Sequence, residues 1–324
     1  MDIRLSLQEL AEQFALSSSA SRRLNELAEL DAEPADLRRN VAFGMGILAA
    51  ALGGLGIIFW IAANWESLSR LGRFALLQAV IATMCAGAIF RPAARFALAL
   101  LTLLAIGGLF AFFGQTYQTG ADPWQLFAIW ATLALPLCLA VRNDVLWAPW
   151  AMVAMTAIAL WIHAHAGRDW GVRAPDLPYH LAGWTAALLV VFALSPRLQR
   201  YTGAGVWGMR VAVTLSTFII TWSGLFALFA ESVAPQFALG LGVLSVAAVA
   251  LCSARFHDTF ALSAIGLALN VMIVGGLARL LLSGSHGDAV GQTMLIGMIA
   301  AGMLAGTVKI VMGVSHKHAN GEKA

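Results

Sequence analysis

The sequence predicts an all-α integral membrane protein with about ten transmembrane helices and a short cytoplasmic helical segment at the N-terminus. Its composition is the first reason: 60% of the residues are hydrophobic, 11% are charged and the mean hydropathy is +0.79. Soluble domains carry about twice that share of charged residues. The second reason is a series of apolar runs of roughly twenty residues, the length that crosses ~30 Å of hydrocarbon. The membrane is therefore the expected solvent.

Ten apolar runs follow the first forty residues, and ten crossings would place both termini on the same side of the membrane. We expect the sixth and the eighth to be the least secure because they are the shortest. The runs are Val41 to Ala63, Gly72 to Phe90, Ala94 to Phe113, Trp124 to Val141, Val145 to Ile162, Leu181 to Leu194, Gly208 to Ala230, Phe237 to Cys252, Thr259 to Leu282 and Gln292 to Val314.

The positions of lysine and arginine predict the orientation of these helices. With the N-terminus inside, fifteen of the twenty basic residues fall on the inner side and five on the outer side. Cytoplasmic loops of membrane proteins are enriched in both residue types. We therefore expect both termini in the cytoplasm.

Residues 1–40 resemble a small helical unit in water. Ser6 and Glu9 have the spacing of a capping box, and Pro34 suits the first turn of a helix that continues into the membrane. Five arginines stand against eight acidic residues in this segment, and the excess of negative charge would repel nucleic-acid phosphates. The predicted organisation is an acidic cytoplasmic segment over 1–40, a transmembrane domain over 41–314 and a cytoplasmic tail over 315–324.

The first outer loop begins with Asn64, Trp65 and Glu66. A tryptophan at this position typically anchors its ring among lipid headgroups, and exposed polar neighbours then need no further role. Alternatively, Asn64 and Glu66 offer oxygen ligands or hydrogen bonds at the mouth of a cavity between helices.

The second outer loop, from Gly114 to Trp124, is unusually polar and contains Gln115, Tyr117 and Gln118. Asp122 followed by Pro123 is typical of a helix start, which accounts for these two residues only. Irregular polar backbone at membrane depth is tolerated against protein or water. The loop is therefore predicted either to line a water-filled pocket or to be a simple connection.

With these residues the chain resembles a family of bacterial membrane proteins, domain of unknown function 2157. The resemblance rests on the acidic N-terminal segment, the glycine-rich first span leading into Ala62 to Glu66, and Gly114 to Trp124 leading into Leu126 to Trp130. It covers about the first 145 residues. It implies a bacterial cytoplasmic membrane, supplies no activity or cofactor, and makes a membrane-protein partner plausible.

The third outer loop, from His163 to His180, suggests a metal site because it also contains His165, Asp169 and Asp176. The spacing of His163 and His165 is weak support, since two residues apart on a helix point in different directions. We expect a solvated loop, no metal and no cofactor. Cys85, Cys138 and Cys252 all lie within apolar runs and are interpreted as packing residues.

Ionisable residues are almost missing from the predicted spans, which disfavours an ion-coupled transporter. Gln78 and Asn270 are the clearest polar residues there, and we expect them to form hydrogen bonds between helices.

These observations favour a non-enzymatic component of an envelope protein assembly. Its expected partners are the lipid bilayer and other membrane proteins, without nucleic acid. The alternative is a carrier or binder of a small molecule or lipid, with an outward-facing pocket under loops 64–66 and 114–124. The candidate ligand-binding residues are Asn64, Trp65, Glu66, Gln115, Tyr117, Gln118, Asp122 and Trp124. An intramembrane enzyme is the weakest hypothesis because no pair of nucleophile and base stands out.

Overall fold

A computed structural model shows a bundle of long α-helices. It describes residues 10, 12–27, 35–63, 67, 69–117, 120, 122–166, 171–253, 257–283 and 289–321. The chain forms two compact units, residues 1–49 and 50–324, and the packing described below belongs to the second. No β-strand occurs in the described ranges. The expected all-α fold is confirmed.

The helices are numbered in chain order. They are α1 (Ser18–Leu27), α2 (Ala35–Ala63), α3 (Arg70–Phe90), α4 (Arg95–Tyr117), α5 (Pro123–Val141), α6 (Asp144–His165), α7 (Leu177–Ala193), α8 (Gln199–Thr202), α9 (Val206–Leu228), α10 (Pro235–Leu251), α11 (Thr259–Ser283) and α12 (Ala289–Gly321).

Nine of the described helices are long and apolar enough to cross a membrane. The tenth apolar helix, α10, has 17 residues and corresponds to the predicted eighth span. At about 1.5 Å per residue it is somewhat shorter than a ~30 Å hydrocarbon core. The protein is thus a multi-pass α-helical membrane protein.

Of two features predicted for the N-terminal segment, the structure describes one. Ser6 and Glu9 lie outside the described residues. The helix expected to begin at Pro34 and enter the membrane is observed as α2, which is continuous from Ala35 to Ala63.

Helix α9 is the centre of the bundle and packs against α6, α7, α10 and α11. It is the most buried of the membrane-length helices, and its buried positions include Ala212, Ile220 and Ala227. Beside it, Trp147 of α6 and Trp184 of α7 are almost fully buried. An apolar helix with no polar face is expected where protein surrounds it on several sides.

Close helix contacts in the bundle depend on glycine. A Cβ atom on Gly107 of α4 would lie 2.4 Å from the ring of Trp130 on α5, and one on Gly224 of α9 would lie 2.4 Å from Met272 of α11. The Trp130 indole Nε1 also donates a 3.0 Å hydrogen bond to the carbonyl of Leu103. Lipid supplies no hydrophobic drive for helix association, so this close packing holds the helices together.

Hydrogen bonds between helix ends define two ends of the bundle. At the end that we call the Tyr117 end, Arg279 donates to the carbonyl of Ala230 at 2.9 Å and Gln236 donates to the carbonyl of Arg173 at 2.7 Å. At the opposite end, the Arg142 end, the Arg142 guanidinium donates to the carbonyls of Arg200 and Tyr201.

Asp144 holds the central helix at the Arg142 end. Its carboxylate accepts hydrogen bonds from the backbone N–H groups of Gly205, Trp207 and Gly208 at 2.7, 2.8 and 3.2 Å. These are N–H groups at the start of α9, which have no acceptor within the helix. A carboxylate there is favoured by charge-assisted hydrogen bonding and by the positive end of the helix dipole.

Gly203, just before this start, has φ +67°, and a Cβ there would lie 2.3 Å from the Cβ of Arg142. Glycine is the residue that adopts such a conformation without a steric penalty. The α5–α6 turn and the α8–α9 connection are therefore fitted closely together.

One of the two predicted interhelical hydrogen-bonding residues is confirmed. Asn270 of α11 exchanges hydrogen bonds with the hydroxyl of Thr307 on α12, at 3.0 and 3.2 Å. Gln78 is exposed, and the structure describes no hydrogen bond from it to another helix. Of these two residues, only Asn270 forms a described hydrogen bond to another helix.

The Asp144 contact leads to a stability prediction. Asp144→Ala leaves three backbone donors without their carboxylate and should lower the free energy of unfolding by about 2 kcal/mol. The measurement is thermal unfolding of the purified protein in detergent. Asp176→Ala is the matched control, because Asp176 accepts a single 3.3 Å hydrogen bond from the backbone of Arg173. Equal losses in the two variants would contradict the capping role.

Candidate functional site

Half of the predicted ligand-binding residues lie outside the described part of the chain. These are Asn64, Trp65, Glu66 and Gln118. The expected site at these positions therefore stays a prediction. The structure places the other four, which are Gln115, Tyr117, Asp122 and Trp124.

The loop predicted from Gly114 to Trp124 is shorter than expected. Helix α4 continues to Tyr117, so Gly114, Gln115 and Tyr117 are helical and not part of an irregular loop. The expectation of irregular polar backbone from Gly114 onward was wrong. A helix satisfies its own backbone hydrogen bonds, so it can carry polar side chains to the end of the bundle without exposing peptide groups to lipid.

Tyr117 ends α4 in a cluster of aromatic rings. Its ring centroid lies 5.8 Å from that of Phe74 on α3 and 4.9 Å from that of Phe113. The Arg70 guanidinium lies 5.6 Å from the centroid of the Tyr117 ring, within the range of a cation–π contact. Gln115 is exposed on the same helix. The start of α3, four residues after Glu66 in sequence, therefore lies against the end of α4.

Asp122 and Pro123 occupy the predicted positions. Asp122 is the N-cap of α5 with an extended backbone, and Pro123 is the first helical residue, although the Asp122 side chain forms no capping hydrogen bond. Trp124 follows, and its ring centroid lies 6.0 Å from that of His165. Its indole N–H is buried without a described acceptor. The start of α5 thus lies beside the end of α6.

The histidines of the predicted loop from His163 to His180 lie on two different helices. His163 and His165 are in the last turn of α6, and Nδ1 of His165 lies 2.8 Å from the carbonyl of Trp161. His180 was predicted to lie in a loop, but it lies in the first part of α7, where it is 3% exposed. The Pro178 position near the start of α7 explains the difference, because proline favours the first turn of a helix.

Asp169 lies outside the described residues. Within the described ranges, no three His, Cys, Asp or Glu side chains are grouped to hold a metal ion. His165 instead packs against aromatic rings, at centroid distances of 4.7 Å from Trp161 and 5.7 Å from Tyr179.

A cavity of about 420 Å³ lies between α6, α7 and α9 towards the Tyr117 end. Its walls are mainly apolar, and its polar residues are Thr156, His163, His180 and Ser223. The described structure gives neither ring nitrogen of His180 a hydrogen-bond partner. A few polar groups in an apolar cavity of this size are typical of a small-molecule site.

Sequence reasoning missed this cavity. Its residues come from three helices that are distant in sequence, and Phe218 and Ser223 look like ordinary span residues. The one available signal was His180, an ionisable residue at the edge of an apolar run.

A second cavity of about 440 Å³ lies between α7, α9, α10 and α11 at the Arg142 end. Arg197, His257 and Asp258 lie at its polar margin, while Ser216 is buried in its wall. Asp258 accepts a 2.7 Å hydrogen bond from the backbone of Ala261 and so caps α11. Neither cavity is lined by Gln115, Tyr117, Asp122 or Trp124.

Residues 8–147 match the family model described as predicted membrane protein (DUF2157). The resemblance expected for about the first 145 residues is confirmed, and both cavities are lined entirely by residues beyond the match. Neither a curated protein nor a solved structure matches the chain.

The contact between Arg70 and Tyr117 predicts that α3 and α4 can be cross-linked at this end. Arg70→Cys combined with Tyr117→Cys, in a chain whose native cysteines are replaced by alanine, should form an intramolecular product with a short bismaleimide. The measurement is a mobility shift on denaturing gels.

The control pair is Arg70→Cys with Tyr201→Cys, since Tyr201 is exposed at the Arg142 end. Cross-linking of the control pair alone, or of neither pair, would contradict the described packing.

Proposed function

We propose that this protein is a non-enzymatic component of a bacterial inner-membrane assembly, and that α12 contacts the transmembrane helix of another membrane protein. The observation that carries the proposal is the low burial of α12. Val311 is the one buried position among the described α12 side chains, whereas 56% of the most apolar 18-residue window of α9 is buried.

Glycines on α12 support the same conclusion. Gly302 and Gly306 are four residues apart and therefore lie on one face of the helix. An added Cβ at either position would meet no atom within 4 Å, in contrast to the crowded positions of Gly107 and Gly224. Glycines at this spacing allow two transmembrane helices to approach closely. No described residue packs closely enough to require glycine at these two positions. A helix of another protein packed against this face would require it.

The face that α12 turns towards its own chain is a different one. Thr307 contacts Asn270 of α11, and a Cβ on Gly266 would lie 2.7 Å from the Thr307 methyl group. Thr307 is about 100° around the helix from Gly306. One α12 face is therefore held by α11 while the glycine face points away from this contact.

This proposal predicts that bulky side chains on the glycine face disrupt the assembly. The double variant Gly302→Leu, Gly306→Leu should lose its co-purifying membrane proteins when membranes are extracted under mild conditions, because leucine prevents close helix approach. The measurement is the size and composition of the purified complex, with protein abundance in the membrane checked separately.

Gly297→Leu is the matched control. It introduces the same side chain on the same helix at a glycine that also has no neighbour within 4 Å, about 140° around the helix from Gly302. Recovery of an intact complex from the double variant, or of an isolated monomer from the unmodified protein, would contradict the proposal.

We also propose that the Arg142 end faces the cytoplasm. Arg142, Arg197 and Arg200 lie in connections at that end, and the positive-inside rule supports this placement. Both termini would then be cytoplasmic, and the Tyr117 end would face the periplasm.

Two tyrosines provide a test of this orientation. Tyr117 is 46% exposed and Tyr201 is 71% exposed, and they lie at opposite ends. Each is replaced by cysteine in a chain lacking the native cysteines. A membrane-impermeant maleimide should label Tyr117→Cys in cells with a permeable outer membrane and Tyr201→Cys only after the inner membrane is disrupted. The reverse pattern would contradict the orientation.

The second candidate function is the binding of a small molecule or lipid beneath loops 64–66 and 114–124. The contact of Arg70 with Tyr117 favours it, because it brings the residues that follow the first loop to the end of α4. Under this proposal, Asn64, Trp65, Glu66, Gln115, Tyr117, Gln118, Asp122 and Trp124 form the ligand contacts. Failure of the Arg70 and Tyr117 cysteines to cross-link would count against it.

A further inference from the structure

The cavity between α6, α7 and α9 combines an aromatic wall with a buried imidazole. On α9, the ring of Trp222 lies between those of Phe218 and Phe226, with centroid distances of 5.4 and 5.0 Å. The Phe218 and Trp222 rings are stacked, with an interplanar angle of 28°, while the Phe226 ring is tilted by 59° from that of Trp222. Aromatic surfaces of this kind favour stacking with a planar ring.

The wall also indicates where a ligand would come from. Phe218 is 56% exposed and Trp222 is 45% exposed, so the aromatic wall lies at the periphery of the bundle and not at its centre. These residues are in the middle and second half of a membrane-length helix. A molecule dissolved in the bilayer can therefore reach the cavity from the side.

His180 is a polar residue of the cavity lining that the described structure leaves without a hydrogen-bond partner. It is 3% exposed, and neither Nδ1 nor Nε2 has a hydrogen-bond partner among the described residues. A neutral imidazole carries one N–H donor and one acceptor nitrogen. Buried polar groups in proteins are nearly always hydrogen-bonded, and an exception calls for a missing partner.

The two hydroxyl groups in the cavity lining are biased towards accepting hydrogen bonds. Ser223 donates its hydrogen to the carbonyl of Ile219 at 2.8 Å, and Thr156 donates to that of Met152 at 2.8 Å. Each hydroxyl oxygen keeps lone pairs for a ligand. Together with the acceptor nitrogen of His180, these oxygens offer three acceptors, against the N–H donors of His180 and Trp222. A ligand with a hydrogen to donate suits it better than one with acceptors alone.

We propose that this cavity binds a planar, largely apolar aromatic molecule carrying a hydroxyl group, of the phenol or naphthol class. The ring would stack on the wall formed by Phe218 and Trp222, and the hydroxyl would donate its hydrogen to a pair of acceptors, the His180 nitrogen and the Ser223 oxygen. The volume of about 420 Å³ is sufficient for a bicyclic ring with a short substituent. This site is separate from the α12 face of the proposed assembly, so either proposal can fail alone.

The test compares three ligands that share one carbon frame: 1-naphthol, 1-methoxynaphthalene and naphthalene. The first donates and accepts hydrogen bonds, the second only accepts, and the third does neither. Equilibrium binding of each labelled compound is measured to the full-length protein in nanodiscs, and partitioning into empty nanodiscs is subtracted. We expect 1-naphthol to bind about tenfold more tightly than 1-methoxynaphthalene.

His180→Phe should remove most of this tenfold preference, because it keeps a ring of similar size and deletes both nitrogens. His165→Phe is the matched control: it is the same substitution on the neighbouring helix, at an exposed histidine that does not line the cavity. It should leave the preference unchanged.

Ser223→Ala is the second variant, in case His180→Phe does not fold, and should weaken 1-naphthol binding about threefold. The Gly302→Leu, Gly306→Leu variant should bind 1-naphthol as the unmodified protein does.

Three results would overturn the proposal. Equal affinity for all three compounds would show an apolar cavity that selects no hydroxyl group. Tighter binding of 1-methoxynaphthalene would show that the lining acts mainly as a donor. An unchanged preference in a folded His180→Phe protein, or in Ser223→Ala where His180→Phe does not fold, would show that the hydroxyl binds elsewhere.

Discussion

The carboxylate of Asp144 is the interaction on which the rest of the bundle depends, because it holds the start of the central helix. Three backbone N–H groups at the beginning of α9 donate to it. Helix α9 in turn packs against four other apolar helices, α6, α7, α10 and α11. Both cavities have a wall made by α9, one containing Ser223 and the other Ser216. A displacement of this helix start would therefore alter both cavities at once.

Packing within lipid explains why glycine is used so differently along the chain. In the bundle centre, Gly107 and Gly224 stand where any larger residue would collide with a ring or a methionine side chain. On α12, a Cβ atom added at Gly302 or Gly306 would have no described atom within 4 Å. Hydrocarbon and protein interior are equally apolar, so composition cannot separate these two situations, and only the neighbours can.

Several buried polar atoms without described hydrogen-bond partners lie at or beside the two cavities. The ring nitrogens of His180 belong to one cavity wall and the Ser216 hydroxyl to the other, and the indole N–H of Trp184 lies beside His180. Such groups are costly to bury in a low-dielectric interior. Their position next to space that a small molecule could occupy distinguishes the cavities from ordinary packing defects, which are lined by apolar atoms.

The sequence by itself determined the solvent, the fold class and most helix positions, because a helix that crosses hydrocarbon must be apolar over a nearly constant length. It also identified Asn270 as an interhelical hydrogen-bonding residue and Asp122 with Pro123 as a helix start, since both are local or compositional signals. It failed at Gly114, where the helix continued through polar residues, and at His180, which was assigned to a loop.

Only the tertiary structure decided that Asp144 caps a helix about sixty residues later and that Phe218, Trp222 and His180 surround one cavity. These contacts join helices through their relative rotation and tilt, and in a chain of uniformly apolar helices no periodic polar face records that rotation in the sequence.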